Sequence, residues 1–310
     1  MNLINNIANQ YSLTELEPIK LIRESADNFV YSVGTKDRKI LRISKRLPIE
    51  DVQFEFEIFD FLSGDNFPVP KWNKTKDGKT FSHLDGQIGV LFDFINGYHV
   101  KVDKDNLPNE TEAYTGGKYL ALFHNLGLDF KSASPRKRNI YSEFERVLSK
   151  RVLFENQFEG GKEFLEQVEE IISFAKKEKP IIGLIHGDLR ADNVFFKNDS
   201  EINGFIDFDW SCIGPQIKDL ALAIVEWSFP IPGRTEPDWK IFDAFLDGYN
   251  SVAKTKYEKG QILYFWIKFT TLSDASTYFC DIADDPNKAK KVLSSYMYKK
   301  YLFFDKLSGQ

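Results

Sequence analysis

The chain has 310 residues, 42% hydrophobic and 28% charged, which is enough apolar side chain to bury a large core and too much for a disordered polymer. Its net charge of −5 argues against a nucleic-acid surface, which needs clustered Lys and Arg, and its two cysteines, Cys212 and Cys280, suit neither a disulfide framework nor a zinc site. No basic-then-apolar leader opens the sequence and no apolar run reaches membrane-spanning length, so a soluble protein of a reducing cytoplasm is expected.

In chain order, residues 18–45 predict β structure, with strands over 19–23, 29–33 and 39–43 and a turn at Gly34-Thr35-Lys36-Asp37. Helical spacing of apolar residues from Glu50 to Leu62 follows, closed by Ser63-Gly64-Asp65. Further strands are expected over 79–81, after an Asp77-Gly78 turn, and over 88–92. Beyond Gly97 the pattern turns helical, with helices predicted at 110–126, 140–155, 162–177, 216–228, 239–253, 259–282 and 286–306. The expected fold class is α+β: a small antiparallel sheet lobe over 1–93, then a mainly helical large lobe over 94–310.

The chemistry is concentrated in His186-Gly187-Asp188-Leu189-Arg190-Ala191-Asp192-Asn193 and, fourteen residues on, Asp207 in Phe205-Ile206-Asp207-Phe208-Asp209. An Asp with an Asn five places later, then a strand ending in a second Asp, is how a kinase-type site supplies a hydroxyl acceptor and two metal ligands. A nucleoside triphosphate needs divalent metal held by hard oxygen ligands from more than one segment; Asn193 and Asp207 are the candidates. Asp188 is then the candidate general base. Asp or Asn alone reads as a turn former, but apolar runs at 181–185, 194–196 and 204–206 bracket this polar loop with short strands.

That octapeptide, Ile206-Asp207-Phe208-Asp209, Gly214-Pro215 and Asp219-Leu220-Ala221 together resemble the aminoglycoside phosphotransferase and choline kinase-like superfamily, including homoserine, methylthioribose and amino-sugar kinases. These enzymes are similar to protein kinases in fold but phosphorylate small molecules. Gly187 stands where protein kinases usually carry Arg, and Arg190-Ala191-Asp192 replaces the His-Pro-Gly common in the superfamily. The resemblance covers essentially residues 18–250.

The resemblance implies several roles. Arg42 takes the basic position that contacts the α- and β-phosphates, in place of Lys, and Glu55, seven residues before Leu62, is its expected partner in preference to Glu57. Ser25 and Asn28 lie in the hairpin that covers phosphates, here without its glycines. Residues 91–97 form the hinge, with Phe92 at the gatekeeper position and Asp93 and Phe94 beside the purine edge. His186 braces the catalytic loop, and Asp219 holds its backbone amides. Strand alternation would put Asp209 on the same side as Asp207, so Asp209 and Arg190 are candidates for further substrate or metal contacts. Glu226, Trp227, Trp239, Tyr249, Trp266, Asp274, Tyr278 and Asp281 are drawn from helices that wall the acceptor pocket, whereas His124, which ends the helix signature Gly117-Lys118-Tyr119-Leu120-Ala121-Leu122-Phe123-His124, is given no chemistry.

The expected function is transfer of the γ-phosphate of ATP, with GTP left open, to a hydroxyl of a small polar acceptor, using Mg²⁺. A catalytically silent nucleotide-binding module is the alternative from another class. Protein kinase activity is disfavoured by Gly187 and by the absence of an Ala-Pro-Glu element after Asp207. The sequence does not choose among homoserine, amino alcohols, methylthioribose and amino sugars, nor set an oligomeric state.

Overall fold

In the computed structural model, residues 3–308 are described apart from 12, 14–17, 26–27, 46–47, 104–105, 135, 231, 286–287, 289–291 and 293–294. A short helix α1 (Leu3–Asn9) precedes three antiparallel strands, β1 (Ile19–Glu24), β2 (Asn28–Val33) and β3 (Lys39–Ser44), then helix α2 (Ile49–Gly64). Strands β4 (Trp72–Asn73), β5 (Ser82–Leu84) and β6 (Gln87–Asp93) complete a sheet of order β1-β2-β3-β6-β4, with β5 also paired to β6.

Alternation along β3 sorts this lobe. Leu41 and Ile43 join Ile7, Tyr11, Tyr31, Val33 and Leu91 in a small core under α1, a helix the sequence reading missed. Arg42, between them, faces the other way, towards α2. The strand expected over 79–81 lies instead at β5. Thr75 and Gly78 close a turn in which the Thr75 amide donates to the Lys79 carbonyl, and Trp72 Nε1 takes the Thr80 carbonyl, so these groups are unavailable to a ladder. Asp85 and Gly86, at φ 50° and 75°, form the two-residue turn that sets the β5–β6 register.

The larger lobe is mainly helical: α3 (Glu110–Gly127), α4 (Ser142–Ser149), α5 (Arg151–Gln157), α6 (Gly161–Ala175), α7 (Gln216–Ser228), α8 (Trp239–Val252), α9 (Gln261–Ile282) and α10 (Tyr296–Ser308). The single helix expected over 140–155 is two, because Lys150 leaves helical geometry at φ −102°, ψ 20°. The helix expected over 286–306 is described as α10; part of its predicted start falls outside the described residues. A full capping box at Asn109 and Glu112 starts α3, which packs closely on α8: a Cβ on Gly117 would meet the Phe245 carbonyl at 2.0 Å.

Two short strand pairs carry the site. β7 (Ile182–Ile185) pairs with β10 (Cys212–Pro215), and β8 (Val194–Asn198) pairs with β9 (Glu201–Phe205). One apolar core links the lobes: Phe208 packs against Phe59 of α2 and Phe123 of α3, with ring centroids 5.1 and 6.1 Å apart. Among the described residues no helix is long and apolar enough to cross a membrane.

Candidate active site

β7 delivers His186 to a loop whose backbone is held from several sides. The N–H groups of His186 and Gly187 donate to the two oxygens of Asp219, in the first turn of α7, at 2.7 and 2.8 Å. His186 Nε2 donates to the Ile206 carbonyl at 3.1 Å, and Ser211 Oγ donates to the His186 carbonyl at 2.9 Å. Gly187 adopts φ 84°, and a Cβ there would lie 2.3 Å from the Trp210 carbonyl oxygen, so a side chain is excluded by both backbone and neighbour.

Asp219 is fully buried. Burial pushes its carboxyl up, but the hydrogen bond from His124, with His186 and Lys218 nearby, outweighs this and holds it down at about 2. His124 bridges Asp219 Oδ2, at 3.0 Å, and the Tyr249 hydroxyl, at 2.9 Å, so the residue given no chemistry from sequence is part of the loop's support. The helix-ending His was its only signal.

The loop then folds on itself. Asn193 Nδ2 and the Arg190 N–H both donate to the Asp188 carbonyl, at 2.8 and 2.9 Å, and Trp227 Nε1 on α7 donates to the Leu189 carbonyl at 3.1 Å. The Ile206 N–H donates to the Asn193 carbonyl at 3.1 Å, tying the loop to the segment that presents Asp207. These bonds bring Asp188, Asn193 and Asp207 to one place. Asp207 lies in the left-handed region, φ 68° and ψ 61°, a costly conformation for a residue with a side chain.

Asp209 does not share a strand face with Asp207, as alternation had suggested. β9 ends at Phe205, and Phe208–Trp210 form a 3₁₀ turn that aims Asp209 into the sheet lobe. There it accepts from Arg42 Nη1 at 2.7 Å and from Asn28 Nδ2 at 2.6 Å. Arg42 also forms a forked pair with Glu55, with Nη1 to Oε1 at 2.8 Å and Nη2 to Oε2. Burial opposes the Arg42 charge, but Asp209 and Glu55 outweigh it and keep the guanidinium charged. Glu57 turns away to accept hydrogen bonds from Ser132 and Ser134. Arg136, absent from the sequence-based candidates, donates to the Asp209 carbonyl and pairs with Asp51 Oδ2 at 3.4 Å, joining α2 to the turn.

The other small-lobe candidates divide. Ser25 closes its own turn by accepting the Asn28 N–H at 3.0 Å, and Asn28 spends its amide on Asp209 and on Ser44. Phe92 packs among Phe59 and Trp72, with the Arg42 guanidinium 5.6 Å over its ring. The side chain of Asp93 pairs with Lys39 at 2.7 Å, and the amides of Asp93 and Phe94 donate to the Lys71 and Arg38 carbonyls. Their N–H groups are therefore not available to a purine. The next amide, Ile95 N–H, has no partner among the described residues.

Burial raises the Asp207 carboxyl to about 7, with the nearby Asp209 and Asp188 carboxylates adding to the effect. Burial also raises Asp188, against the pull of Arg190. Among the described residues Asp207 has no hydrogen-bonding side-chain partner, and Asn193 uses Nδ2 but leaves Oδ1 open. Two open oxygen donors beside crowded carboxylates fit Mg²⁺, which takes one or two protein oxygens and fills its shell with phosphate and water.

Asp188 also borders a charged wall. Arg190 Nε donates to Asp188 Oδ1 at 2.8 Å, while Nη1 stands 3.9 Å from Glu226 Oε2. Glu226 also receives the buried Lys300 Nζ of α10 at 2.9 Å, a contact not anticipated from sequence. Burial raises Asp274 to about 7, with Glu226 adding and Arg190 opposing. The remaining candidates for this wall separate: Trp266 is core, Tyr249 supports His124, Trp239 packs on Phe242 and Phe303, Tyr278 is half-exposed, and Asp281 pairs with Arg146 at 2.8 Å.

Comparison with known proteins agrees with this architecture. Residues 18–254 match the model of the phosphotransferase enzyme family. Homoserine kinase of Zymomonas mobilis is 31% identical over 252 residues, covering 79% of this chain and 75% of the relative, and that of Agrobacterium fabrum is 27% identical over 253 residues, covering 80% and 76%. Among solved structures, an amicoumacin kinase in complex with AMP-PNP and Ca²⁺ superimposes with a TM-score of 0.74 at 18% identity, covering 98% of this chain and 91% of that one. A microcompartment-associated aminopropanol kinase gives 0.68 at 17% identity, covering 99% and 97%. The fold is the bilobal kinase-like α+β fold, and the chain belongs to the phosphotransferase enzyme family, within the aminoglycoside phosphotransferase and choline kinase-like superfamily, as a kinase of small hydroxyl-bearing molecules.

Proposed function

We propose that this protein phosphorylates the hydroxyl of a small amino acid alcohol, with L-homoserine as the leading acceptor and ATP as donor. The observation that carries the reading is the mixture of charge around Asp188: Arg190 stands beside the carboxyls of Glu226 and Asp274, and Lys300 pairs with Glu226. A zwitterion needs both signs, whereas a polyamine antibiotic or a choline-like cation needs only anions. The 31% identity to a homoserine kinase supports the same choice.

In this reading Asp188 orients the acceptor hydroxyl and takes its proton as the oxygen attacks the γ-phosphorus. Asn193 and Asp207 would hold Mg²⁺, which neutralises phosphate charge when bound. Arg42, clamped by Glu55, positions phosphate oxygens; the Asp209 carboxylate already on Nη1 marks a face of the guanidinium that receives anionic oxygen. The carbonyl of Asp93 and the free N–H of Ile95 would meet the purine edge, in front of Phe92. His186 and Asp219 hold the loop without entering the reaction.

Coupled measurement of nucleoside diphosphate release tests this, using L-homoserine, 3-amino-1-propanol, choline, methylthioribose and an aminoglycoside with ATP and then GTP, and phosphorus NMR to identify the product. O-phosphohomoserine formed at a kcat/KM at least about tenfold above the other acceptors is expected. An inert homoserine beside rapid turnover of another acceptor would sink the proposal.

A further inference from the structure

Arg190 is the one strongly basic side chain that the loop itself places beside Asp188, and its setting is unusual for an ion-paired arginine. Its side chain is 45% exposed, while those of its two acidic neighbours, Asp188 and Glu226, are 22% and 6% exposed. Among the described residues only Nε makes a close contact, to Asp188 Oδ1 at 2.8 Å; Nη1 is 3.9 Å from Glu226, beyond hydrogen-bond length. Glu226 is already satisfied by Lys300 at 2.9 Å, so it does not need Arg190 as its partner.

The guanidinium's direction is set by the elements around it. The carboxylates that act on it most strongly are Asp188, Glu226 of α7 and Asp274 of α9. Asp207, Asp209 and Glu55, the carboxylates on the nucleotide side, instead surround Arg42. Arg190 therefore faces the acceptor wall. A planar guanidinium with Nε committed presents its Nη edge as a fork for a second carboxylate.

We propose that Arg190 is the receptor for the carboxylate of the acceptor and that it selects hydroxy acids over simple alcohols. This rests on the amino acid alcohol reading above and adds to it the residue that reads the acid group. With Nε on Asp188 and the Nη edge on the substrate, one rigid plane joins the base to the carboxylate. Its geometry holds the acceptor hydroxyl at a fixed reach from the acid group, towards Asp188. Glu226, braced by Lys300, limits the swing of the guanidinium.

The test uses the full-length protein with Arg190→Gln and Arg190→Lys, their folding checked by thermal unfolding. Calorimetry with Mg²⁺ and AMP-PNP present compares L-2-aminobutyrate, which has the carboxylate but no hydroxyl, with n-propylamine, which has neither. The wild type should bind aminobutyrate more tightly than propylamine. Arg190→Gln should weaken aminobutyrate about ten- to a hundredfold while leaving the propylamine constant within about threefold, and Arg190→Lys should fall between, since an ammonium lacks the fork.

In turnover, the wild-type ratio of kcat/KM for L-homoserine to that for 3-amino-1-propanol should collapse at least about tenfold in Arg190→Gln, chiefly through KM. Equal loss on both acceptors, carried by kcat, would overturn the proposal and assign Arg190 to the phosphoryl group or the loop. Equal binding of the two probes by the wild type would overturn it as well. Aminobutyrate binding that depends on Arg190 with no turnover of homoserine would uphold the carboxylate receptor and refute the homoserine reading alone.

Discussion

Asp188 and Asp219 are both aspartates of one small region, and their surroundings give them opposite properties. Asp188 is raised by burial and keeps Oδ2 without a protein donor among the described residues, which suits a group that must take a proton. Replacement by Asn keeps the shape and removes the basicity. Asp188→Asn should lower kcat by about 10²–10⁴-fold with an unchanged melting temperature, measured by ADP release and calorimetry. Asp219 is instead saturated with donors and held down at about 2. A depressed folded pKa means that its stabilisation is present above the unfolded value near 4 and disappears as pH falls towards 2. His186 acts in the same direction: burial lowers its pKa, so the unfolded chain binds the proton first and stability declines as pH drops below about 6.5. Asp219→Asn should cost about 2 kcal/mol near neutral pH and flatten the acid limb of the stability profile, followed by urea unfolding from pH 7 to 3. An unaltered acid limb would contradict the role given to this carboxylate.

At the scale of elements, α10 contributes more than apolar cover. It inserts Lys300, 2% exposed, against Glu226 of α7 and the Pro230 carbonyl, and so links the end of the chain to the wall beside Arg190. Breaking one member of a buried pair leaves a lone charge, which costs more than removing both. Lys300→Met should therefore destabilise the protein by about 3–5 kcal/mol, and adding Glu226→Gln should restore part of that loss in a double-mutant unfolding cycle. Simple additivity would mean that the pair is not coupled. The elements also show where sequence patterns sufficed. Strands β2, β3 and β6 and helices α3, α7 and α8 were legible because alternation or helical spacing was long and ended at turn residues. The strand expected over 79–81 failed because the local turn used its backbone groups, and α1 was hidden because seven residues carry little periodicity.

At the scale of the molecule, the site joins two lobes through polar and apolar contacts. Arg42 and Asn28 of the sheet lobe grip Asp209, while Phe59 of α2 meets Phe208 from the helical lobe. Nucleotide bound with Mg²⁺ would touch both lobes, so AMP-PNP should raise the melting temperature more with Mg²⁺ than with EDTA. Asp207→Asn should abolish that metal-dependent increment and reduce turnover to background, whereas a wild-type shift indifferent to EDTA would count against a metal at Asn193 and Asp207. The sequence by itself pointed to phosphoryl transfer, because Asp188, Asn193 and Asp207, the proposed base and metal ligands, lie on one short stretch whose spacing is fixed by a loop and a strand pair. Through the family resemblance it also suggested Glu55, seven residues before Leu62, as the partner of Arg42, and the two side chains do pair. Only the tertiary structure brought His124, Arg136 and Lys300 to the site, where they meet Asp219, Asp209 and Glu226 from 95, 73 and 74 residues away. Their roles depend on which helices pack together and on which buried carboxylates then need a donor, and no local pattern records either.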